Sequence, residues 1–196
     1  MAVDFENIEK NLPDGQNMGG LPQVVYYALY SSVLSWPERP SSEAADMTLE
    51  KMGELTGDVK MKANQRMYSF YITDGEGKLD FEGVGETDGK SCVMKLRIYQ
   101  PGLQSKLLGL VNLAKNENLV FLVPDNNGNL FLMGDELRAA VLDSIDGMTT
   151  GQKTEERPGA GLVFSYKTAN IYRYTGAIPN ALPPEPDAPE EETPAT

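Results

Sequence analysis

The side chains that most often perform catalysis are scarce in this chain of 196 residues. It contains no histidine, which removes the commonest general base, the Ser-His and Cys-His nucleophile pairs and most zinc sites. Carboxylate dyads and Ser-Lys arrangements remain open, but 29 acidic residues guarantee that some acids are neighbours by chance. No convergent catalytic set can be assigned. The sequence therefore predicts a protein that is not an enzyme, with no cofactor, no metal ion and no small-molecule substrate.

Several short segments match chemical motifs in part, and each has a simpler interpretation. Cys92 falls in an expected strand without a histidine partner, which favours a small buried apolar residue over a reactive thiol. The glycine-rich segments 74–78 and 83–89 depart from the dinucleotide-binding pattern. Residues 125–129 begin like a calcium loop but lack the downstream bidentate acid. We expect turns between antiparallel strands at all three glycine- or asparagine-rich segments.

The overall charge and the ends of the chain limit the classes of partner. A formal net charge of -12 argues against binding nucleic acid through clustered cations, and fits either high solubility or a passage through which a polyanion slides. A single cysteine excludes an internal disulfide. The acidic start is not a secretory signal, and the apolar stretch 24–36 is too short to span a bilayer. We expect no membrane association, and synthesis and folding in the cytoplasm.

β-Branched and aromatic residues dominate the apolar segments and predict a mostly β fold, a β-sandwich or half-barrel. Asn127-Gly128 tolerates the positive φ of a tight hairpin turn. The segment 137–145 is compatible with helix or strand, and the alternation of Ala139, Val141, Asp143 and Ile145 favours a strand. The expected strands cover residues 23–33, 67–73, 91–99, 120–124, 130–133, 137–145, 162–166 and 171–176.

One packed α-helix is expected at about 103–116. Its apolar stripe consists of Leu103, Leu107, Leu108, Leu110, Val111 and Ala114. A polar excursion at 37–66 contains two turns of helix at most, because Leu49, Met52 and Leu55 are helically spaced. An excursion of this length in a β-protein indicates contact with something else.

Three regions are expected along the chain. Residues 1–20 form an extended N-terminal arm that orders only against a neighbouring subunit. Residues 21–178 form the β-rich domain with its polar excursion. The segment 179–196 holds six prolines and five acidic residues, so it cannot bury enough apolar surface to order itself. It is predicted to be a disordered acidic tail.

The aromatic residues suggest a contact surface. Tyr26, Tyr27 and Tyr30 lie in the first expected strand, and Tyr172 and Tyr174 flank Arg173. Such side chains serve a sugar-binding platform or a subunit interface, because the ring buries while the hydroxyl stays hydrogen-bonded. We favour the interface.

The segment 118–176 resembles phage tail-tube proteins. The likeness rests on Phe121-Leu-Val-Pro-Asp-Asn-Asn-Gly-Asn-Leu-Phe-Leu-Met-Gly, Thr150-Gly-Gln-Lys, Gly161-Leu-Val-Phe-Ser-Tyr and Tyr172-Arg-Tyr-Thr-Gly. It is particularly similar to structural proteins of phages and prophages of Bacteroidetes-type hosts. The resemblance implies six-subunit rings that stack around a DNA channel, with helix 103–116 on the flank. It also implies that excursion 37–66 reaches the adjacent ring and that an acidic inner wall keeps DNA from sticking.

These observations lead to a hypothesis of a non-enzymatic virion structural protein, a tail-tube subunit located in the virion tail. Its partners are further copies of itself and other tail proteins, and DNA passes through without specific binding. The expected interface residues are Tyr26, Tyr27, Tyr30, Met52, Leu55, Phe131 and Met133. The alternatives are a neck or tail-completion protein of the same fold, and a monomeric glycan- or protein-binding β-sandwich. A carboxylate-based hydrolase is a third class.

Overall fold

A computed structural model describes residues 4–10, 17–44 and 46–180. The described part of the chain is mostly β, as predicted. Its helices are α1 (Leu49–Gly53) and α2 (Ser105–Ala114). Its strands are β1 (Val24–Leu29), β2 (Val33–Ser35), β3 (Glu54–Leu55), β4 (Lys60–Met61), β5 (Tyr68–Tyr71), β6 (Lys78–Val84), β7 (Ser91–Pro101), β8 (Leu119–Pro124), β9 (Leu130–Met133), β10 (Val141–Thr149), β11 (Gly159–Thr168) and β12 (Arg173–Tyr174).

Two four-stranded antiparallel sheets form the framework. Sheet A has the strand order β5-β1-β8-β9, and sheet B has the order β10-β11-β7-β6. The sheets enclose a main core in which the rings of Phe121 and Phe164 lie 4.6 Å apart, centroid to centroid. Inward residues of β7 alternate with outward ones, so Met94, Leu96 and Ile98 are buried while Arg97 is exposed. This is the predicted sandwich.

Strand β8 is buried on both faces, which explains why its sequence is apolar without alternation. Leu119, Phe121 and Val123 face the main core. Val120 and Leu122 face a second core on the far side of sheet A. Two small sheets, β2 with β4 and β3 with β12, cover that second core.

The excursion 37–66 is therefore a folded layer of its own chain. Thr48 caps α1 by accepting a hydrogen bond from the backbone N–H of Lys51. Leu55 and Val59 are buried in the second core. Strand β3 then pairs in parallel with β12, far along the chain. The helical turns were predicted, and β12 lies within the strand expected at 171–176. Strand β3 and its pairing with β12 were not predicted.

The sheets join at their corners, which gives the half-barrel character. Ala139 bridges to Gly134, and Ala140 bridges to Leu119, so the chain leaves sheet A just before entering β10 of sheet B. At another corner the N–H of Thr73 donates to the carbonyl of Tyr99. Residues 137–145 therefore adopt extended structure rather than helix, as predicted.

Some boundaries differ from the sequence expectations. The first strand is broken by a 3-10 turn at Tyr30–Ser32, because the chain passes there from sheet A to its pairing with β4. Strand β6 was not predicted. Helix α2 buries Leu107, Val111 and Ala114, while Leu108 is exposed because it projects to one side of that stripe. None of the helices in the described ranges is long and apolar enough to cross a membrane.

The two predicted ends are described only in part. Asp4 pairs with Thr48, and its N–H donates to the carbonyl of Met47. From there the arm is exposed through residue 10. Of the predicted tail 179–196, Pro179 accepts a hydrogen bond from the N–H of Met67, and residues beyond Asn180 lie outside the described ranges.

Candidate assembly surfaces

Sheet B has an open edge on each side. In the described part of the chain, β10 pairs only with β11, and β6 pairs only with β7. Both edges carry apolar side chains: Val141 and Ile145 on β10 are 44% and 38% exposed, and Phe81 and Val84 on β6 are 40% and 38% exposed. Long edges of this kind template pairing with another chain unless something covers them. Each outer strand of sheet B therefore has one side without a strand partner in the described part of the chain.

Strand β10 is also irregular in a way that curves the sheet. Its register against β11 shifts between Leu142 and Ser144, and again between Asp146 and Thr149. Such bulges bend a strand and increase its twist, and they are common at the rims of barrels. By contrast, β6 runs in unbroken register along β7 from Lys78 to Val84. The curvature of sheet B is therefore concentrated at the β10 side.

The outer face of sheet B carries matched charges on neighbouring strands. Asp80 lies 2.7 Å from the Nζ of Lys78 and 3.6 Å from the Nε of Arg97. Glu82 lies 3.0 Å from the Nζ of Lys95. The resemblance implied an acidic wall, but on this face each of these acids has a cation beside it. Such a surface neither attracts nor strongly repels a polyanion.

Asp135 ties the two sheets and the excursion together. Its carboxylate Oδ2 accepts from Tyr166 at 2.5 Å and from Arg39 at 2.6 Å. Its Oδ1 accepts from the N–H groups of Leu137 at 2.7 Å and Arg138 at 2.9 Å. The hydroxyl of Tyr30 donates to the backbone carbonyl of Asp135 at 2.7 Å. All four groups that contact the carboxylate are hydrogen-bond donors, so the carboxylate of Asp135 acts as a structural acceptor.

Trp36 closes this corner. Its ring lies 5.3 Å from that of Tyr30. Gly134 has a φ of 147°, and a Cβ there would lie 3.1 Å from Val120 and 3.2 Å from Trp36. Glycine is favoured because other residues rarely adopt this φ, and because a Cβ would push Val120 and Trp36 aside by a few tenths of an ångström. The cluster of Tyr30, Trp36, Arg39, Asp135 and Tyr166 is a tightly packed corner.

The buried tyrosines make stability sensitive to alkaline pH. Burial, then the hydrogen bond to Asp135, raises the pKa of Tyr166, and burial raises the pKa of Tyr27, Tyr30 and Tyr174. Tyrosine has a pKa of about 10 in the unfolded chain. When the pH rises above that value, the unfolded chain releases tyrosine protons that the folded chain retains. The stability from these groups is thus complete below about pH 10 and is lost as the pH rises further.

We therefore expect the free energy of unfolding to fall between about pH 10 and pH 11, measured by urea denaturation at each pH. Tyr166→Phe should flatten this slope, because the group with the most strongly raised pKa is gone. Exposed Tyr71→Phe is the matched control and should leave the slope unchanged. A slope identical in Tyr166→Phe and the unsubstituted protein would contradict the assignment.

The structure removes two residues from the predicted interface. Met133 is completely buried in the main core, and Leu55 is buried in the second core. Their side chains pack within their own chain because β9 and β3 turn those positions toward a core. Both are core residues rather than the predicted interface residues.

The other predicted interface residues keep some exposed surface. Tyr26 and Tyr27 are half-buried on opposite faces of β1, against the second and the main core. The hydroxyl of Tyr30 donates a hydrogen bond to the backbone carbonyl of Asp135. Met52 is exposed on α1. Phe131 is half-buried, with its ring 5.1 Å from Phe81.

Sequence reasoning missed the exposed apolar residues of the sheet B edges and of the arm. Val141 and Ile145 were recognised as part of an alternating pattern, but alternation does not say which strand lies at an edge. Phe5 and Ile8 stand in an acidic segment whose composition indicated only an extended arm.

Comparisons with known proteins do not assign this chain to a family. No protein-family model, curated protein or solved structure matches it.

Proposed function

We propose that this protein is a non-enzymatic structural subunit that assembles head to tail through sheet B, and that it serves as a phage tail-tube subunit. The observation that carries the proposal is the pair of open, partly apolar edges, β6 and β10, on opposite sides of one sheet. The resemblance of residues 118–176 to tail-tube proteins supplies the biological setting. The site of action is thus an interface between copies.

Two different edges of one sheet favour a closed ring. Pairing β10 of one copy with β6 of the next is heterologous, and a heterologous contact produces a ring when its rotation closes. Closure would pair both edge strands of sheet B and leave neither exposed. The bulges of β10 supply curvature for a continuous barrel. Six copies a ring is the number that the resemblance implies.

The matched charges on the outer face of sheet B fit a wall along which DNA slides. Lys78, Asp80, Glu82, Lys95 and Arg97 form ion pairs across β6 and β7. Cations that are already paired are poor phosphate ligands, so DNA would pass without specific binding. Other tail proteins would contact the ends of the tube, and the protein would reside in the virion tail.

The test is the assembly state of the purified full-length chain. We expect sedimentation velocity to show species larger than the monomer, and negative-stain microscopy to show rings or tubes of uniform width. Salt should be varied from low to high, because apolar edge pairing strengthens with excluded salts such as sulfate. A protein that stays monomeric at high concentration in every salt would overturn the proposal and favour a monomeric binding module. Rings that never stack would favour a neck or tail-completion role.

A further inference from the structure

The N-terminal arm presents apolar side chains to solvent. After Asp4, which is held against Met47 and Thr48, residues 5–10 are exposed. Phe5 is 88% exposed and Ile8 is 92% exposed, more than any other large apolar side chain in the described ranges. Acidic side chains, Glu6 and Glu9, alternate with them. The described part of the arm therefore combines exposed apolar side chains with acidic ones.

A groove of matching character lies between α2 and β1. It has a volume of about 460 Å³, and its apolar lining comes from Tyr27, Ala28, Leu29, Tyr68, Leu110, Leu113 and Leu119. Arg66 and Lys106 also line it and are its charged residues. Gly109 lines the groove as well, and a Cβ built on it meets no atom within 4 Å. The groove is thus open and mostly apolar, with two basic side chains in its lining.

We propose that this groove receives the N-terminal arm of a second copy of the chain, and this proposal rests on the self-assembly proposed above. Phe5 and Ile8 supply the apolar surface that the groove lacks. Glu6 and Glu9 face Arg66 and Lys106, so the charges of the two surfaces are opposite in sign. The arm of the same chain lies against Met47 and Thr48 and leaves the groove open. Arm and groove therefore join neighbouring copies.

A mixed cross-linking experiment tests contact between copies. Cys92 is replaced by alanine, and Ile8→Cys and Leu113→Cys are introduced on separate chains. After mixing and mild oxidation, we expect a disulfide-linked heterodimer, because Leu113 lines the groove. Pairing Ile8→Cys with Leu34→Cys is the control, since Leu34 is exposed at 65% but lies outside the groove. Equal yields in the two mixtures would overturn the proposal.

Filling the groove provides a second, independent test. Gly109→Leu should fold normally, because its side chain enters open space and glycine is a poor helix former. It should lower the cross-link yield by more than about tenfold, since excluding one large apolar side chain is ordinarily worth that much in association. Asn112→Leu places a leucine on the same helix outside the groove and should leave the yield unchanged.

The outcomes separate this inference from the proposed function. Rings or tubes that form without a groove cross-link, and that Gly109→Leu does not affect, would overturn the arm docking alone. An unsubstituted protein that does not assemble, together with cysteine variants that do not cross-link, would overturn both. Phe5→Ser on the Ile8→Cys chain should lower the cross-link yield as Gly109→Leu does, with an unchanged melting temperature, because the Phe5 side chain is almost fully exposed in the free subunit.

Discussion

Asp135→Ala is expected to lower the free energy of unfolding by about 3 kcal/mol. The side chain of Asp135 is only 13% exposed, and it accepts from a buried tyrosine, a guanidinium and two backbone N–H groups. Removing the carboxylate leaves the hydroxyl of Tyr166 without its acceptor in a buried position. Arg39 is partly exposed and can hydrate, so its share of the loss is small. Urea denaturation at pH 7 measures the effect.

Two further variants separate the parts of this effect. Asp135→Asn keeps one acceptor oxygen and should cost roughly half as much as alanine, because the backbone donors retain a partner. Tyr166→Phe should cost about 1 kcal/mol, the ordinary value of one hydrogen bond. In a double-mutant cycle, Asp135 and Tyr166 should be non-additive. The exposed Asp143→Ala is the control, and an Asp135→Ala protein as stable as this control would contradict the role of the cluster.

The elements that sequence reasoning found are those with a local signal. The hairpin of β8 and β9 was predicted because Asn127-Gly128 separates two apolar runs. Helix α2 was predicted from its period, although Leu108 was placed on the wrong face. The uninterrupted apolar run of β8 indicated a strand, and only the structure shows that it separates two cores.

The elements that were missed depend on distant parts of the chain. Strand β3 is two residues long, too short to show any periodicity, and its parallel pairing with β12 joins distant parts of the chain. Asp135 follows the hairpin and carries no local sign that Arg39 and Tyr166 converge on it. The second core therefore could not be predicted, and neither could the burial of Leu55 within it. Met133 was misplaced for a related reason: a period of two identifies two faces but not which one is covered.

Placing lysines on the β10 edge is expected to abolish assembly while leaving the subunit folded. Val141→Lys with Ile145→Lys puts charge on the two exposed apolar positions of that edge. Lysine on an edge strand prevents edge-to-edge pairing, because the ammonium group would be desolvated between strands. Each residue is already more than a third exposed, so the melting temperature should fall by only a few degrees, the shift that about 1 kcal/mol produces. Sedimentation velocity should show monomers alone.

The control and a mixing experiment make this prediction specific to head-to-tail pairing. Leu34→Lys with Leu108→Lys adds the same charge at positions 65% and 38% exposed, away from sheet B, and should assemble normally.

Phe81→Lys with Val84→Lys blocks the β6 edge instead. Each blocked protein should be monomeric alone, because one of its two edges cannot pair. A mixture of the two should give a discrete heterodimer, because the intact β6 of one chain meets the intact β10 of the other. Homodimers of either blocked protein would show that like edges pair, and would contradict a ring closed through β6 and β10.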